Sequence, residues 1–345
     1  YETVEIDEGY YEYHNKNPVH SIHRANLLVG LPYLFHGATL RIWKPKILKK
    51  LVKDADVILV EEPWQLPAVN EYAKQTPIVY SSHNVEAVKF RPESYPRTGN
   101  WLQKVMTHNE KKAVEKADLL ICVSEDDKCE FQNEYNVQCP VCVAPNGVYE
   151  SAIREHNPEN GQPILDKHGI GRESFVGLFV GSDYGPNNDA VEQMIELLEA
   201  YPDKFANFHF LIVGSVSDTI TDPPDNVTAA GFVDDIEPYY DAADIAVNPM
   251  RFGGGTNIKL FDYFARSLPV VSTPFGIRGI DSGEDVAHVI ELSEFPHSIN
   301  ELKSNRQRCE AYRARGRDLI KRKYKWNSIS KKVRRKVITQ FGPFE

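Results

Sequence analysis

The chain has 345 residues, of which 41% are hydrophobic and 26% are charged, and its formal net charge is −9. Length and composition predict a globular protein with two domains of ordinary size, and they exclude disordered and fibrous classes. No apolar run approaches the roughly 20 residues that a membrane-spanning helix needs. The acidic balance argues against a nucleic-acid partner.

The net charge conceals a strong asymmetry along the chain. Residues 301–345 carry fifteen Lys or Arg and four Asp or Glu, whereas the other 300 residues carry 25 basic and 45 acidic side chains. A basic tail of this kind can contact an anionic membrane surface. A solvated helix face is the simpler interpretation, because Lys and Arg lie all round the helix rather than opposite an apolar stripe.

The cysteines indicate a reducing compartment. There are five of them, an odd number with no framework spacing, and Cys139 and Cys142 form a single CxxC without the second pair that a zinc site needs. We expect a cytoplasmic protein, with peripheral contact at the inner membrane face if the basic tail binds anionic lipid.

Apolar strands alternate with amphipathic helices over the first part of the chain. The predicted strands are 57–60, 77–81, 119–123 and 141–143, and the predicted helices are 66–74, 101–116 and one that starts at Glu125. This alternation predicts a parallel sheet covered on both faces. Residues 1–50 contain only one plausible strand, 3–6, and a helical run at 25–35. We therefore expect the first domain to lack its first βα unit or to have replaced it.

The pattern lapses between residues 150 and 173, which are rich in Asn, Pro and Gly, and it then restarts. The later strands are predicted at 175–180, 208–213, 227–229, 245–248, 269–272 and 286–291, with helices at 188–200, 236–243 and 258–265 and closing helices to about residue 337. We predict two doubly wound domains that face a cleft. Their predicted limits are 1–150 and 174–320, with a linker at 151–173 and a basic helix at 321–345 that packs back on the first domain. Ligands of such sheets lie at the carboxyl ends of the strands.

A glycine-rich loop at the start of a helix is the most informative segment. Gly253, Gly254 and Gly255 are followed by Thr256 and by the amphipathic run 258–265, which includes Lys259 and Asp262 one turn apart. Unpaired backbone N–H groups and the helix dipole form an anion site at such a loop. A cation beside a phosphate, with a carboxylate to accept from ribose hydroxyls, is what a nucleotide diphosphate needs. A tight turn without a ligand explains this segment alone equally well.

Several motifs, taken in order, resemble the family 4 glycosyltransferases of the GT-B fold. The motifs are 118–124 with Pro145-Asn146-Gly147-Val148, Gly181-Ser-Asp-Tyr-Gly-Pro-Asn187, Gly231-Phe-Val-Asp234, and the glycine segment with Pro269-Val-Val-Ser-Thr273. Each motif is weak alone, but together they extend from residue 57 to residue 337 in the order and spacing of the family. The resemblance implies an α/β fold of two Rossmann-like domains.

The resemblance also implies roles for particular residues. The loop Gly253, Gly254, Gly255 and Thr256, together with Lys259, would hold the donor diphosphate, and Asp262 would bind the ribose. Gly181 and Ser182 would let the opposite wall approach the phosphates, and Phe232 and Val233 would flank the base. His83 would face the transferred sugar as the catalytic residue. The implied donor is a UDP- or GDP-linked sugar.

Three departures from the family pattern concern the donor. The family has Glu where this chain has Asp262, and often a second Glu where Gly254 stands, which contacts the donor sugar in many members. The Arg and Lys that follow the first strand of the family's nucleotide domain are replaced by Pro186, Asn187 and Asn188. The absence of the second Glu leaves the identity of the donor sugar open.

No metal site is indicated. Acidic pairs at 126–127 and 234–235 fall at predicted helix starts, where the dipole favours them. His20, His23 and His36 are spaced too irregularly for metal ligands. Glu61 and Glu62 end a strand, and we expect them to cap the next helix. We expect neither a metal nor a cofactor besides the donor substrate.

The resemblance therefore implies a retaining glycosyltransferase of the hexosyltransferase type, acting in glycan, lipid-linked or polysaccharide biosynthesis. Two alternatives stay open. One is a sugar-nucleotide epimerase or hydrolase on the same scaffold, and the other is a non-catalytic glycosyltransferase-like subunit. The acceptor cannot be read from the sequence.

Overall fold

The computed structural model describes residues 2–7, 10–14, 46–90, 92–94, 97–281 and 283–343. The helix predicted at 25–35 and the three histidines His20, His23 and His36 lie outside these ranges. The chain divides into two compact units: a first unit within Tyr1–Cys122, Lys128–Val143 and Arg335–Glu345, and a second unit formed by Val123–Asp127 and Ala144–Arg334. In the described part of the chain, every helix is too short or too polar to cross a membrane.

The first unit contains a four-stranded parallel sheet, as the sequence predicts. Its elements are β1 (Glu2–Asp7), β2 (Tyr10–His14), α1 (Lys46–Asp54), β3 (Ile58–Val60), α2 (Leu66–Asn70), β4 (Ile78–Ser81), α3 (Glu86–Lys89), α4 (Gly99–Lys116), β5 (Leu119–Cys122), α5 (Glu125–Glu134) and β6 (Val141–Val143). The sheet order is β3-β4-β5-β6, with all neighbours parallel. β5 is buried at every position because helices cover both faces of the sheet.

The strand predicted at 3–6 exists but does not belong to this sheet. β1 pairs antiparallel with β2, and the two form a separate two-stranded sheet. The prediction missed β2, a short Tyr-rich strand whose pairing partner is its immediate neighbour in the chain.

The second unit contains a six-stranded parallel sheet. Its elements are α6 (Pro158–His168), β7 (Phe175–Val180), α7 (Gly185–Ala200), β8 (Phe208–Val213), β9 (Val227–Ala229), α8 (Glu237–Ala242), β10 (Ile245–Asn248), α9 (Ile258–Ala265), β11 (Val270–Ser272), α10 (Gly283–Val286), β12 (His288–Val289), α11 (Phe295–Ser304) and α12 (Arg306–Lys323). The last helix, α13 (Trp326–Phe341), begins in the second unit, and its residues from Arg335 onward belong to the first. The buried strands confirm the predicted doubly wound pattern. The last strand is shorter than predicted.

The strand order places a topological switch between β7 and β10. The order is β12-β11-β10-β7-β8-β9, so the chain runs outward from β7 to one edge and then returns to build the other side from β10. The connections that leave β7 and β10 therefore diverge and open a crevice at the carboxyl ends of these strands, which is where doubly wound sheets bind their ligands.

Much of the segment predicted as a linker, 151–173, is ordered within the second unit. Asn157 caps α6 by accepting from the Glu159 amide at 3.2 Å, Pro158 begins the helix, and Gly169 ends it at φ +66°. The Asn, Pro and Gly residues are therefore helix-terminus residues rather than signs of a flexible connection. Gly161 packs so closely on α8 that a Cβ there would lie 2.2 Å from the Ala242 nitrogen. The domain limits given by the sequence stay predictions.

Candidate functional site

Three glycines fix the backbone at the carboxyl ends of β7, β8 and β9. The Gly214 amide donates to the Gly231 carbonyl at 2.8 Å, and the Val216 amide donates to the Gly181 carbonyl at 3.2 Å. Gly214 has a φ of +102°, and a Cβ on it would lie 2.2 Å from the Gly181 carbonyl oxygen. Glycine is therefore required there, and the loop that begins at Gly181 is anchored beside the crevice.

Lys259, in the first turn of α9, directs its amine toward the connection that follows β7. The Nζ atom lies 2.7 Å from Oδ1 of Asn187 and 3.9 Å from the centroid of the Phe179 ring. Among the described residues no carboxylate forms an ion pair with it. Burial lowers the pKa of Lys259 to about 7. A buried cation without a counter-ion has a strong electrostatic preference for a bound anion.

Asn187 connects the two walls of the crevice. It is buried, its Nδ2 donates to the Ser182 carbonyl at 3.0 Å, and its Oδ1 accepts from Lys259. A Cβ on Gly181 would lie 3.1 Å from Cγ of Asn187. The structure thus brings Gly181, Ser182 and Lys259 together, and it adds Asn187, which the sequence analysis noted only as a departure from the family.

The glycine loop approaches the start of α7. Gly253 has a φ of +146° and Gly255 a φ of +61°, and both values favour glycine. A Cβ on Gly253 would lie 3.8 Å from both Pro186 and Phe275. Gly254, between them, is half-buried. The loop therefore lies next to the residues that follow β7, as a diphosphate site at this switch point requires.

Two polar atoms near the loop are buried without a hydrogen-bond partner in the described part of the chain. They are Oγ1 of Thr256, next to the glycine triplet, and Oδ1 of Asn248, at the end of β10. Asn257 is the N-cap of α9, but its side chain donates to the Gly276 carbonyl at 2.7 Å instead of capping the helix. The first turn contains no acidic residue. The positive end of the α9 dipole is therefore not neutralised by its own side chains.

Asp262 lies one turn after Lys259 and is part of a chain of ion pairs. Its Oδ1 lies 2.8 Å from Nη1 of Arg266, and Nε of Arg266 donates to Oε1 of Glu237 at 2.9 Å. Burial raises the pKa of Asp262, and the Arg266 guanidinium opposes that rise. The side chain is 38% exposed, so a hydroxyl donor can reach it. The i,i+4 spacing of Asp262 and Arg266 was a signal that the sequence analysis did not use.

The same charged chain lines a cavity of about 870 Å³ between α6 and α8. Arg154 lies 2.6 Å from Oδ1 of Asp241 and 3.0 Å from Oε2 of Glu237. The cations and carboxylates at this cavity neutralise one another, unlike the amine of Lys259. The crevice, rather than this cavity, is therefore the candidate binding site.

Phe232 and Val233 follow β9, two strands away from the crevice. Phe232 is 80% exposed, and Val233 is half-buried against the core of the second unit. Gly231 precedes them at φ +74°. The large exposed ring of Phe232 suits contact with a flat apolar ligand.

His83 belongs to the first unit and follows β4, with its side chain exposed. The pKa of nearby Glu62 is raised by burial and by Glu86 and is lowered in part by the Trp64 indole and by His83. Oε2 of Glu62 accepts from the Trp64 indole at 2.9 Å. The predicted capping of α2 by Glu61 or Glu62 is wrong, because the N-cap is Gln65 and no side chain caps it.

No group of three or more His, Cys, Asp or Glu side chains within the described ranges is arranged to hold a metal ion.

Comparison with known proteins identifies two family models. Residues 174–305 match the model described as glycosyl transferases group 1, and residues 7–151 match the model described as glycosyltransferase family 4. No curated protein sequence matches the chain.

The fold is similar to solved glycosyltransferase structures at low sequence identity. Sucrose-phosphate synthase from Thermosynechococcus elongatus is 15% identical, with a TM-score of 0.74 over 98% of this chain and 85% of that one. HepE from Anabaena, in complex with UDP-glucose, is 16% identical, with a TM-score of 0.68 over 85% and 81%. WaaG, a glycosyltransferase involved in lipopolysaccharide biosynthesis, is 17% identical, with a TM-score of 0.65 over 87% and 82%. With a group 1 model over the second unit and a family 4 model over the first, the chain is a family 4-like glycosyltransferase with the GT-B fold.

Proposed function

We propose that the chain transfers a sugar from a nucleoside diphosphate donor to an acceptor hydroxyl with retention of anomeric configuration. The observation that carries this proposal is the amine of Lys259, which lies at the switch point between β7 and β10, on a half-buried side chain, with no counter-ion among the described residues. The glycine loop and the start of α9 lie beside it. A diphosphate would supply the missing negative charge and accept from the backbone N–H groups.

These groups would act on the leaving group. As the bond between the anomeric carbon and the phosphate oxygen breaks, negative charge grows on the diphosphate, and Lys259 and the fixed amides stabilise it. The acceptor oxygen would form the new bond on the same face of the sugar and give its proton to the departing phosphate. His83 would contact the transferred sugar, and Asp262 would hold the ribose. Retention rests on the resemblance to family 4.

The proposed donor is a uridine diphosphate sugar. HepE, which has the same fold, was solved with UDP and with UDP-glucose. The sugar itself stays open, because Gly254 stands where many family members contact it with a carboxylate.

Calorimetric titration of the full chain with UDP, GDP, ADP and dTDP tests the proposal. We expect selective binding of one nucleotide, UDP in the first place. Asp262→Ala should weaken it by about 1.5–3 kcal/mol, because charge-assisted hydrogen bonds to the ribose are lost. The matched control is Asp225→Ala, which removes an exposed carboxylate of the same unit. His83→Ala should keep the nucleotide affinity and lower sugar transfer.

The outcomes separate the alternatives. Nucleotide binding with release of free sugar in the absence of acceptor would indicate a hydrolase, and a rearranged sugar nucleotide would indicate an epimerase. A folded chain that binds none of the four nucleotides would support the non-catalytic subunit and would refute the donor site.

A further inference from the structure

Glu110 of α4 is a fully buried acid that the proposed reaction does not use directly. Its two carboxylate oxygens accept four hydrogen bonds. Oε1 accepts from the Glu86 amide at 2.8 Å and from the Tyr80 hydroxyl at 3.4 Å. Oε2 accepts from the Ala87 amide at 3.0 Å and from the Tyr135 hydroxyl at 2.8 Å. The described residues offer it no basic partner.

The two amides that Glu110 binds belong to the segment that carries His83. β4 ends at Ser81, and α3 begins at Glu86, only three residues after His83. The N-cap of α3 is Val85, which has no side-chain oxygen to cap the helix. Glu110 supplies that cap from another helix, and it thereby fixes where α3 starts.

Further polar contacts within the segment make its conformation specific. The buried Ser82 hydroxyl accepts from the Asn84 amide at 3.3 Å and donates to the Asn84 carbonyl. Nδ2 of Asn84 donates to Oε1 of Glu86 at 3.1 Å. His83 lies inside this bonded turn with an exposed side chain, so the position of its imidazole depends on the anchor at Glu86 and Ala87.

We propose that Glu110 is a positioning residue that holds the His83 segment at the end of β4 for sugar transfer. The proposal rests on the proposed function, since it gives His83 its role. Glu110 is buried and lies more than 20 positions from His83 in the sequence, yet it keeps the His83 imidazole in place.

The ionised form of Glu110 is the one that suits this arrangement. A carboxylate can accept all four bonds, whereas a protonated acid must donate its own O–H to the Tyr80 or Tyr135 hydroxyl, and its O–H oxygen is a weaker acceptor for the amide beside it. Burial raises the pKa of Glu110 to about 7, although the bonds from Ala87, Glu86 and Tyr135 oppose the rise. The anchor should therefore weaken as the pH falls through neutrality.

The ionisable groups that face Glu110 come from several elements. They are Tyr80 of β4, Tyr135 after α5, and Glu86 of α3, whose like charge raises the pKa of Glu110. Glu86 is itself paired with Lys89 at 3.8 Å. The negative charges of Glu62 and Glu86 both raise the pKa of Tyr80. The Tyr135 hydroxyl is the partner whose removal should raise the pKa of Glu110 without changing a charge.

The test compares pH profiles of kcat for the wild type, Glu110→Gln, Tyr135→Phe and the control Tyr72→Phe, each as the full chain with UDP-sugar and acceptor. Glu110→Gln should lower kcat at pH 8 by about tenfold to a hundredfold, because His83 is displaced. The nucleotide affinity should stay unchanged, and the fall of activity toward pH 6 that the Glu110 proton causes should be gone. Tyr135→Phe should move that fall to higher pH, and Tyr72→Phe should not move it.

Amide hydrogen exchange over residues 83–87 supplies a readout that does not depend on activity. Exchange should be faster in Glu110→Gln at every pH, and faster in the wild type at pH 6 than at pH 8 after correction for the intrinsic rates. An unchanged pH profile in Tyr135→Phe, or unchanged exchange in Glu110→Gln, would overturn the proposal. If Glu110→Gln does not fold, Tyr135→Phe decides alone. If His83→Ala transfers sugar normally, the role of His83 fails, and the exchange data still show whether Glu110 holds the segment.

Discussion

Lys259 is the side chain of the candidate donor site whose positive charge is most costly to hold away from water. Its amine has a neutral hydrogen-bond partner in Asn187 and an aromatic ring in Phe179, and neither can offset the loss of water around a full charge. Because its pKa is lowered to about 7, a fraction of the lysine is neutral in the free protein at physiological pH. A bound diphosphate would restore the charged form.

We therefore expect nucleotide binding to depend on pH through Lys259. Binding a dianion raises the pKa of the amine, so protons are taken up on binding above about pH 7, and affinity should fall by up to about tenfold for each pH unit above that value. Lys259→Met should weaken binding and abolish this proton uptake. Calorimetry in buffers of different ionisation enthalpy measures both effects. Exposed Lys167, changed to Met, is the control and should behave as the wild type.

Stability without ligand gives an independent check of the same residue. The folded-state pKa of Lys259 lies below its unfolded value of 10.5, so the unfolded chain binds more protons between pH 7 and 10.5 and stability rises with pH over that window. Lys259→Met should lack this rise and should be more stable than the wild type near pH 7. A Met variant that is less stable at pH 7 would contradict the assignment of Lys259 as a strained, uncompensated cation.

Sequence reasoning could find Lys259 because its position follows from the loop and the helix period. It could not find that Asn187 holds the amine, because the two residues lie 72 positions apart and meet only through the adjacency of β7 and β10. In the sequence, the replacement of the family's Arg and Lys by Pro186 and Asn187 looks like a loss of positive charge from the nucleotide site. In the fold, Asn187 is a neutral link between Ser182 and Lys259.

At the scale of elements, the connection after β11 supports the glycine loop. Gly279 has a φ of +80°, and a Cβ on it would lie 2.3 Å from Oγ1 of Thr256. The backbone at Gly279 therefore packs directly against the Thr256 side chain. Any side chain at position 279 must displace Thr256, which begins the approach to α9.

Gly279→Ala should for this reason weaken nucleotide binding as well as stability. The left-handed backbone alone should cost about 1–2 kcal/mol of folding free energy, and displacement of Thr256 should cost about 1 kcal/mol of binding, roughly fivefold. The control is Gly169→Ala, with φ +66° and no atom within 4 Å of the added Cβ. Thermal unfolding and nucleotide titration of both variants give the measurement. Equal effects on affinity in the two would mean that Gly279 matters only for stability.

The elements themselves were predictable to different degrees. Strands such as β7, β8 and β10 are buried on both faces, and their continuous apolar runs leave little choice of structure. The helix within 151–173 was not predicted because Asn157, Pro158 and Gly169 serve equally well as loop residues and as helix ends. Only packing distinguishes the two, and the contact of Gly161 with α8 is invisible in the sequence.

Two helices near the C-terminus carry the charge asymmetry of the chain. α12 and α13 contain most of the basic residues of 301–345, and α13 has no acidic side chain. Lys331, Arg334 and Arg335 of α13 are exposed. The remaining 300 residues are net acidic, so an anionic surface would attract residues 301–345 and repel the rest of the chain.

We propose that α13 binds anionic lipid surfaces, which would bring the enzyme to a membrane-bound acceptor. Each basic residue near such a surface contributes about 1 kcal/mol, so reversing Lys331 and Arg335 to Glu should weaken binding to phosphatidylserine vesicles by more than about tenfold. The matched control reverses Arg172 and Lys204, two exposed basic residues outside α13. Vesicle sedimentation at low and high salt measures the effect, which salt should suppress. Equal sedimentation of the α13 variant and the wild type would show that this basic face is only solvated, and the exposed lysines of α1 would then be the next surface to reverse.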